Sequence, residues 1–277
     1  MSDNHYIVQV ANVQYAYPPP RRIEAIRGLT LQVKPGEFLC IVGQNGSGKT
    51  TIARLMSGYL RPDKGTILID GKDPWRLPAG ERASLVSYVF QNPDHQLFKD
   101  SVWQEVAFGL HNLRVDKGTV ECEVERVLKI LSLWEKRELH PFRLAKGNRQ
   151  RLAVACIMVI RPRILIVDEP TTGQDPEKAR EIMGLLRDTN QSEGNTVIII
   201  THSMELVAEF ADRVVVMADG KVLMDDTPRA TFSQVTTLRQ ASLAPPQITR
   251  LGLRLGLHPL PLSVTEAKDA ILRELGQ

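Results

Sequence analysis

Three cysteines in 277 residues, Cys40, Cys122 and Cys156, are too few and too far apart to form a CxxC metal pair or a disulfide framework. Each sits among apolar or helix-forming neighbours, so a reducing compartment is expected. No charged-then-apolar leader opens the sequence. The longest apolar run near the middle, LAVACIMVI, is about half of the roughly 20 residues that a membrane crossing needs. Any link to a membrane is therefore expected to run through partner proteins. A dominant charge sign is missing as well: 35 basic and 32 acidic side chains, spread along the sequence, leave a net charge of +3. Without a concentrated cationic field, a basic arm or sustained heptads, no nucleic-acid partner is expected. No internal repeat and no low-complexity tract interrupts the chain.

What is present alternates between strand and helix. YIVQVANVQYAY and AIRGLTLQV are β-branched and alternating, with PPPRR between them, which predicts two strands joined by a loop. EFLCIVG predicts a buried strand running into a tight glycine loop, followed by a helix and a strand near GTILIDG. From about Ser101 to Leu139 helix formers recur at helical spacing, ECEVERVLKILSLW being the clearest stretch. RILIVD and NTVIIITH predict two more buried strands around a helix that begins DPEKAREIMGLL, and this alternation predicts a parallel sheet. VVVMADGKVLMDD predicts a hairpin around Asp219-Gly220, and from about Asp226 onward the composition shifts to short helices broken by proline. The expected division is a main domain over 1–225, with a helical insert at about 95–160, and a tail over 226–277.

Three motifs carry chemistry. GQNGSGKT matches G-x-x-x-x-G-K-[ST] between a predicted strand and a predicted helix. Its glycines let backbone N–H groups turn inward around phosphate, and the helix N-terminus adds its dipole. The candidate cradle comprises Gly43, Asn45, Gly46, Ser47, Gly48, Lys49, Thr50 and Thr51, with Lys49 reaching the β and γ phosphates and Thr50 offering its hydroxyl to Mg²⁺. ILIVDEP ends an apolar strand in two adjacent carboxylates, which such a strand tolerates only beside cations. Asp168 is the candidate metal ligand, and Glu169 the candidate that orients or deprotonates an attacking water. A carboxylate pair capping the next helix is the alternative. IIIITHS places His202 at another strand end, where its imidazole is suited to sense a γ phosphate.

In order and content these motifs resemble the ATP-binding subunits of ATP-binding cassette (ABC) transporters over roughly residues 6–225. The resemblance implies an α/β P-loop NTPase of ABC type, with an antiparallel β subdomain, a helical insert and a small helical C-terminal tail. It also implies MgATP hydrolysis at a dimer interface. By the same resemblance Tyr17 stacks on adenine, with Tyr15 as the alternative. Gln91 contacts Mg²⁺ and the attacking water, and Asp175 crosses between subunits. Members of the family usually carry Leu-Ser-Gly-Gly-Gln where this chain has Leu144, Ala145, Lys146, Gly147 and Asn148. Gly147 and the helix dipole are kept, whereas Ala145 lacks a hydroxyl whose charge-assisted hydrogen bond would contribute about 1.5–3 kcal/mol. Lys146 either replaces that attraction or blocks close backbone approach.

FQNPDHQLFKDSVWQEVAFGLHNL and APPQITRLGLRLG further resemble the energy-coupling-factor (ECF) ATPases, which power import of vitamins and of cobalt or nickel ions. That implies a peripheral position on the cytoplasmic face of the membrane, a second ATPase subunit, with a heterodimer favoured over a homodimer, and an integral membrane partner. The tail would help hold the two ATPases together. Asn92, Pro93 and Asp94 are expected to turn, leaving Leu97 and Phe98 exposed for docking; packing against the insert is the alternative. Two rival functions stay open: an ABC ATPase that remodels nucleic acid or ribosomes, and a regulatory ATP-binding subunit with little turnover.

Overall fold

Strands buried on both faces read as continuous apolar runs, whereas half-buried strands alternate, and this chain contains both kinds. The computed structural model describes residues 5–20 and 22–275. The alternating strands come first. β1 (Val8–Ala16) pairs antiparallel with β2 (Glu24–Val33), in which Leu29, Leu31 and Val33 are buried while Thr30 and Gln32 face solvent. The fully buried β3 (Phe38–Val42) follows, then α1 (Lys49–Met56) and β4 (Lys64–Ile69), which returns to the other edge of β1. The small sheet therefore has the order β2-β1-β4.

The chain continues through α2 (Ala79–Leu85) and β5 (Val86–Val89) into the helical insert of α3 (Val102–Asn112), α4 (Lys117–Ile130) and α5 (Lys146–Met158). Ser101 and Asp116 cap α3 and α4 by accepting from the N–H groups of Gln104 and Thr119. Then come β6 (Ile164–Asp168), α6 (Pro176–Glu193), β7 (Thr196–Ile200), α7 (Met204–Phe210), β8 (Arg213–Ala218) and β9 (Lys221–Asp226). The large sheet runs β5-β6-β7-β3-β8-β9, parallel through β8 and closed by an antiparallel edge strand. Asp219 and Gly220 turn that edge with φ of 48° and 74°, the two left-handed residues that a tight hairpin requires.

Period-2 alternation divides the core between the two sides of the large sheet. Phe38, Cys40, Val42, Leu165, Val167, Val197 and Ile199 face α3–α6, while Leu39, Ile41, Ile164, Ile166, Ile198 and Ile200 face α1 and the small sheet. Two layers thus press on the sheet and hold the C-terminal ends of β3, β6 and β7 together. The tail comprises α8 (Pro228–Ser233), α9 (Val235–Gln240), α10 (Gln247–Leu255) and α11 (Val264–Glu274). Phe232, Leu238 and Ala241 enter the main core, whereas α10 and α11 lean on each other. Among the described residues no helix is long and apolar enough to cross a membrane.

One expectation fails in the insert. Leu97 is buried at 4% exposure and only Phe98 is exposed, at 59%. Burying a leucine contributes about 1.5–3 kcal/mol, so the segment turns Leu97 into the core and leaves one ring outside. The turn itself forms as expected, with the Asn92 side chain accepting from the Asp94 N–H at 3.2 Å.

Candidate functional site

The loop between β3 and α1 owes its shape to glycine. Gly46 and Gly48 adopt φ of 83° and 100°, and a Cβ on Gly48 would stand 2.6 Å from the Ala25 carbonyl oxygen. The β8–β9 turn braces the same loop: Gly220 N–H donates to Ser47 O at 3.1 Å, and Arg27 N–H donates to Gly220 O at 3.0 Å. At the end of the loop α1 begins without a side-chain cap and without an acid in its first turn, so its amides stay available to an anion. Lys49 is buried, and its Nζ donates to Gly43 O at 2.7 Å and Gln44 O at 3.0 Å. Burial lowers the pKa of this ammonium below the usual lysine range, against the opposing pull of Glu169 and Asp168. Among the described residues no carboxylate forms a salt bridge with this ammonium, which leaves it able to exchange its carbonyls for phosphate oxygens.

A cavity of about 440 Å³ gathers Tyr17, Asn45, Gly46, Gly48, Lys49, Thr50, Thr51, Gln91, Asp168 and Glu169. The Tyr17 hydroxyl lies 3.1 Å from Thr51 Oγ1, which ties this ring to the phosphate loop; Tyr15 does not line the cavity and packs against the core instead. Asp168 is fully buried. Its Oδ2 accepts from the Tyr88 hydroxyl at 2.7 Å, while Oδ1 is buried with no partner among the described residues. Ser47 Oγ in the phosphate loop is likewise buried and unpartnered. An orphaned carboxylate oxygen on a residue that shares its cavity with Thr50 and Gln91 offers a hard oxygen donor set that suits Mg²⁺, which typically takes one or two carboxylates plus phosphates. Among the described residues no cluster of three His, Cys, Asp or Glu side chains would cage a metal unaided.

Glu169 follows Asp168 with φ of 51°, a left-handed backbone that costs a glutamate about 1–3 kcal/mol. Its N–H donates to Ile200 O at 2.8 Å, and its Oε2 meets His202 Nδ1 at 2.8 Å and the Thr172 hydroxyl at 3.3 Å. His202 and Glu169, 33 residues apart in sequence, therefore form one pair, with the imidazole largely exposed and the carboxylate buried. Gly43 and His202 border a second cleft together with Gln44, Glu169 and the tail residues Gln247 and Arg250.

Gly147 and Asp175 lie outside the cavity. Gly147 is in the first turn of α5, where a Cβ would stand 2.7 Å from Gln174 Oε1, and α5 too begins without a side-chain cap. Asp175 caps α6 by accepting from Lys178 N–H at 3.0 Å and pairs with Lys178 Nζ at 2.7 Å. Tyr88, Thr172 and the tail residues were not legible as parts of the site. Their one available signal was the position of Tyr88 in a buried strand three residues before Gln91.

The chain resembles known proteins throughout this region. Residues 26–172 match the ABC transporter family. An energy-coupling factor transporter ATP-binding protein EcfA from Methanocaldococcus jannaschii is 40% identical over 250 residues, covering 89% of this chain and 88% of that protein. The structure of cbiO1 from Clostridium perfringens, part of the ABC transporter complex cbiONQ, is 32% identical, with a TM-score of 0.75 over 92% of this chain and 100% of that one. A dimeric post-hydrolysis structure of the ATP-binding cassette MJ0796, bound to ADP and Pi, is 26% identical with a TM-score of 0.74, over 80% of this chain and 99% of that one. Other curated relatives, at 41–45% identity, are longer, and the chain spans only 41–43% of their length. Motif order, the two-sheet core and these similarities agree: the chain belongs to the ABC transporter family of ATP-binding proteins and is similar to its energy-coupling-factor members.

Proposed function

We propose that the chain is the ATPase subunit of an ECF-type ABC importer, binding and hydrolysing MgATP at a dimer interface to power uptake of a vitamin or metal ion. The observation that carries this reading is the convergence of Lys49, Thr50, Asp168 and Glu169 on one cavity at the mouth of the phosphate loop. Lys49 and the loop amides hold the phosphates, and Tyr17 offers its ring to the base. Thr50, Gln91 and Asp168 would hold Mg²⁺, which would supply positive charge to the bound phosphates. Glu169 orients the water and accepts its proton, and His202, already bonded to Glu169, fixes the γ end. Catalysis of this kind is positioning and charge stabilisation.

In a single chain, Gly147 and Asp175 stand apart from the cavity, which supports their use across an interface with a second ATPase subunit. The altered run Leu144–Asn148 favours a heterodimer in which the partner's intact signature completes this chain's site, with the tail helping to hold the pair. An integral membrane partner docking on the Phe98 side would place the assembly peripherally on the cytoplasmic face.

Calorimetry of the full chain with ATP and Mg²⁺ tests the reading. Saturable MgATP binding, kept in Glu169→Gln while turnover falls by about 10²–10⁴-fold, is expected. A chain indifferent to MgATP refutes the site, unchanged turnover in E169Q removes Glu169 from its role, and a fully active symmetric homodimer refutes the heterodimer.

A further inference from the structure

The proposed chemistry leaves one buried hydroxyl without a task. Tyr88, on β5, is 2% exposed, and its ring packs against Phe90 at 4.9 Å and Tyr59 at 5.8 Å between centroids. Its hydroxyl reaches Asp168, 80 residues away in sequence, because β5 and β6 are neighbours in the sheet, with Tyr88 paired to Ile166. The Arg54 guanidinium, from α1, lies beside the same hydroxyl, and its Nε is buried with no partner. A carboxylate only accepts, so the phenol gives its single O–H proton to Asp168. The direction of that hydrogen bond is thereby set.

A carboxylate free to turn about its last torsion can present either oxygen or both. Here Oδ2 is occupied by Tyr88, and Oδ1 is buried without a partner among the described residues. We propose that Tyr88, backed by Arg54, is a positioning residue that locks Asp168 so that one oxygen alone serves the nucleotide's divalent cation. The arrangement makes the site selective for a small cation of strict geometry. Mg²⁺ and Mn²⁺ take single oxygens in near-octahedral array, whereas Ca²⁺ accepts bidentate carboxylates and irregular coordination. Outer partners of metal ligands commonly govern affinity in this way.

The inference rests on the proposed nucleotide site, and Tyr88→Phe tests it because the ring and its stacking are kept. On the full chain, binding of a non-hydrolysable ATP analogue is measured in EDTA, in Mg²⁺ and in Ca²⁺, and Mn²⁺ binding is followed by electron paramagnetic resonance with the analogue present. The expected Y88F protein has the wild-type affinity in EDTA within about twofold, a Mg²⁺ or Mn²⁺ midpoint weaker by about tenfold or more, and a smaller loss for Ca²⁺. An unchanged Mg²⁺ midpoint overturns the proposal, as does an equal loss of affinity with and without metal, which marks a merely structural role. If Y88F does not fold, Arg54→Met carries the test: loss confined to the metal-dependent part supports the lock, and no such loss overturns it. A wild-type chain that binds neither nucleotide nor cation brings down the nucleotide site itself. Normal wild-type binding with an indifferent Y88F removes only the lock.

Discussion

Gly48 offers a quantitative test of how the phosphate loop is built. At φ of 100° an alanine incurs left-handed strain of about 1–2 kcal/mol. Its Cβ would also stand 2.6 Å from the Ala25 carbonyl oxygen and 3.0 Å from Ile26 Cδ1. The carbonyl is backbone in β2, tied to β1 by the sheet, so relief requires a shift of the strand or of the loop. Overpacking of this kind costs about 1–3 kcal/mol, giving Gly48→Ala a total of about 2–5 kcal/mol. Gly46 is the control: its φ is 83°, yet a Cβ there meets nothing within 4 Å, so Gly46→Ala incurs only the strain. At about 2–4 °C per kcal/mol for a chain near this size, nucleotide-free G46A should melt about 4 °C below wild type and G48A about 10 °C below. Differential scanning calorimetry without ligand checks both. Equal shifts for the two variants, or a G48A protein that melts with wild type, would refute the claim that the β2 carbonyl limits the loop.

Two further outcomes concern protons. Burial lowers the pKa of Lys49, and phosphate oxygens raise it, so at pH between the free and the nucleotide-bound pKa MgATP binding takes up a proton. Calorimetry in buffers of different ionisation enthalpy, repeated across a pH series, measures that uptake, and no buffer dependence at any pH would contradict it. Glu105 is buried and its pKa is raised by desolvation, although its Oε2 accepts from Phe98 N–H at 2.8 Å and Lys99 N–H at 2.6 Å. A carboxyl whose folded pKa lies above its unfolded value destabilises the fold once pH exceeds both, and contributes no such cost below both. Glu105→Gln keeps an acceptor for the two amides, so its melting temperature should exceed wild type at neutral pH and converge with it as pH falls through the carboxylate range. A gain that grows on acidification would reverse the sign and sink the reasoning.

The phosphate loop was legible because its chemistry is local: glycines, Lys49 and Thr50 lie within one run of eight residues. The buried strands were legible because apolar runs such as ILIVD and TVIII survive any choice of neighbour. Partnerships made by sheet order were not. Tyr88 meets Asp168 only because β5 lies beside β6, and no spacing along the chain announces it. His202 and Glu169 were each singled out, yet their mutual bond depends on β6 and β7 ending side by side. Leu97 misled because a turn signal marks where the chain reverses and not which of two adjacent apolar side chains goes inward. In the tail, short proline-broken helices carry little periodicity, so the entry of Phe232 and Leu238 into the main core could not be read from pattern.

Glu169 holds a backbone shape that glycine would occupy without penalty and asparagine with little. Evolution toward thermal robustness alone would therefore drift away from glutamate at this spot. The glutamate in this chain therefore carries a local backbone cost of about 1–3 kcal/mol, which the surrounding scaffold, anchored here through the Ile200 carbonyl, must offset.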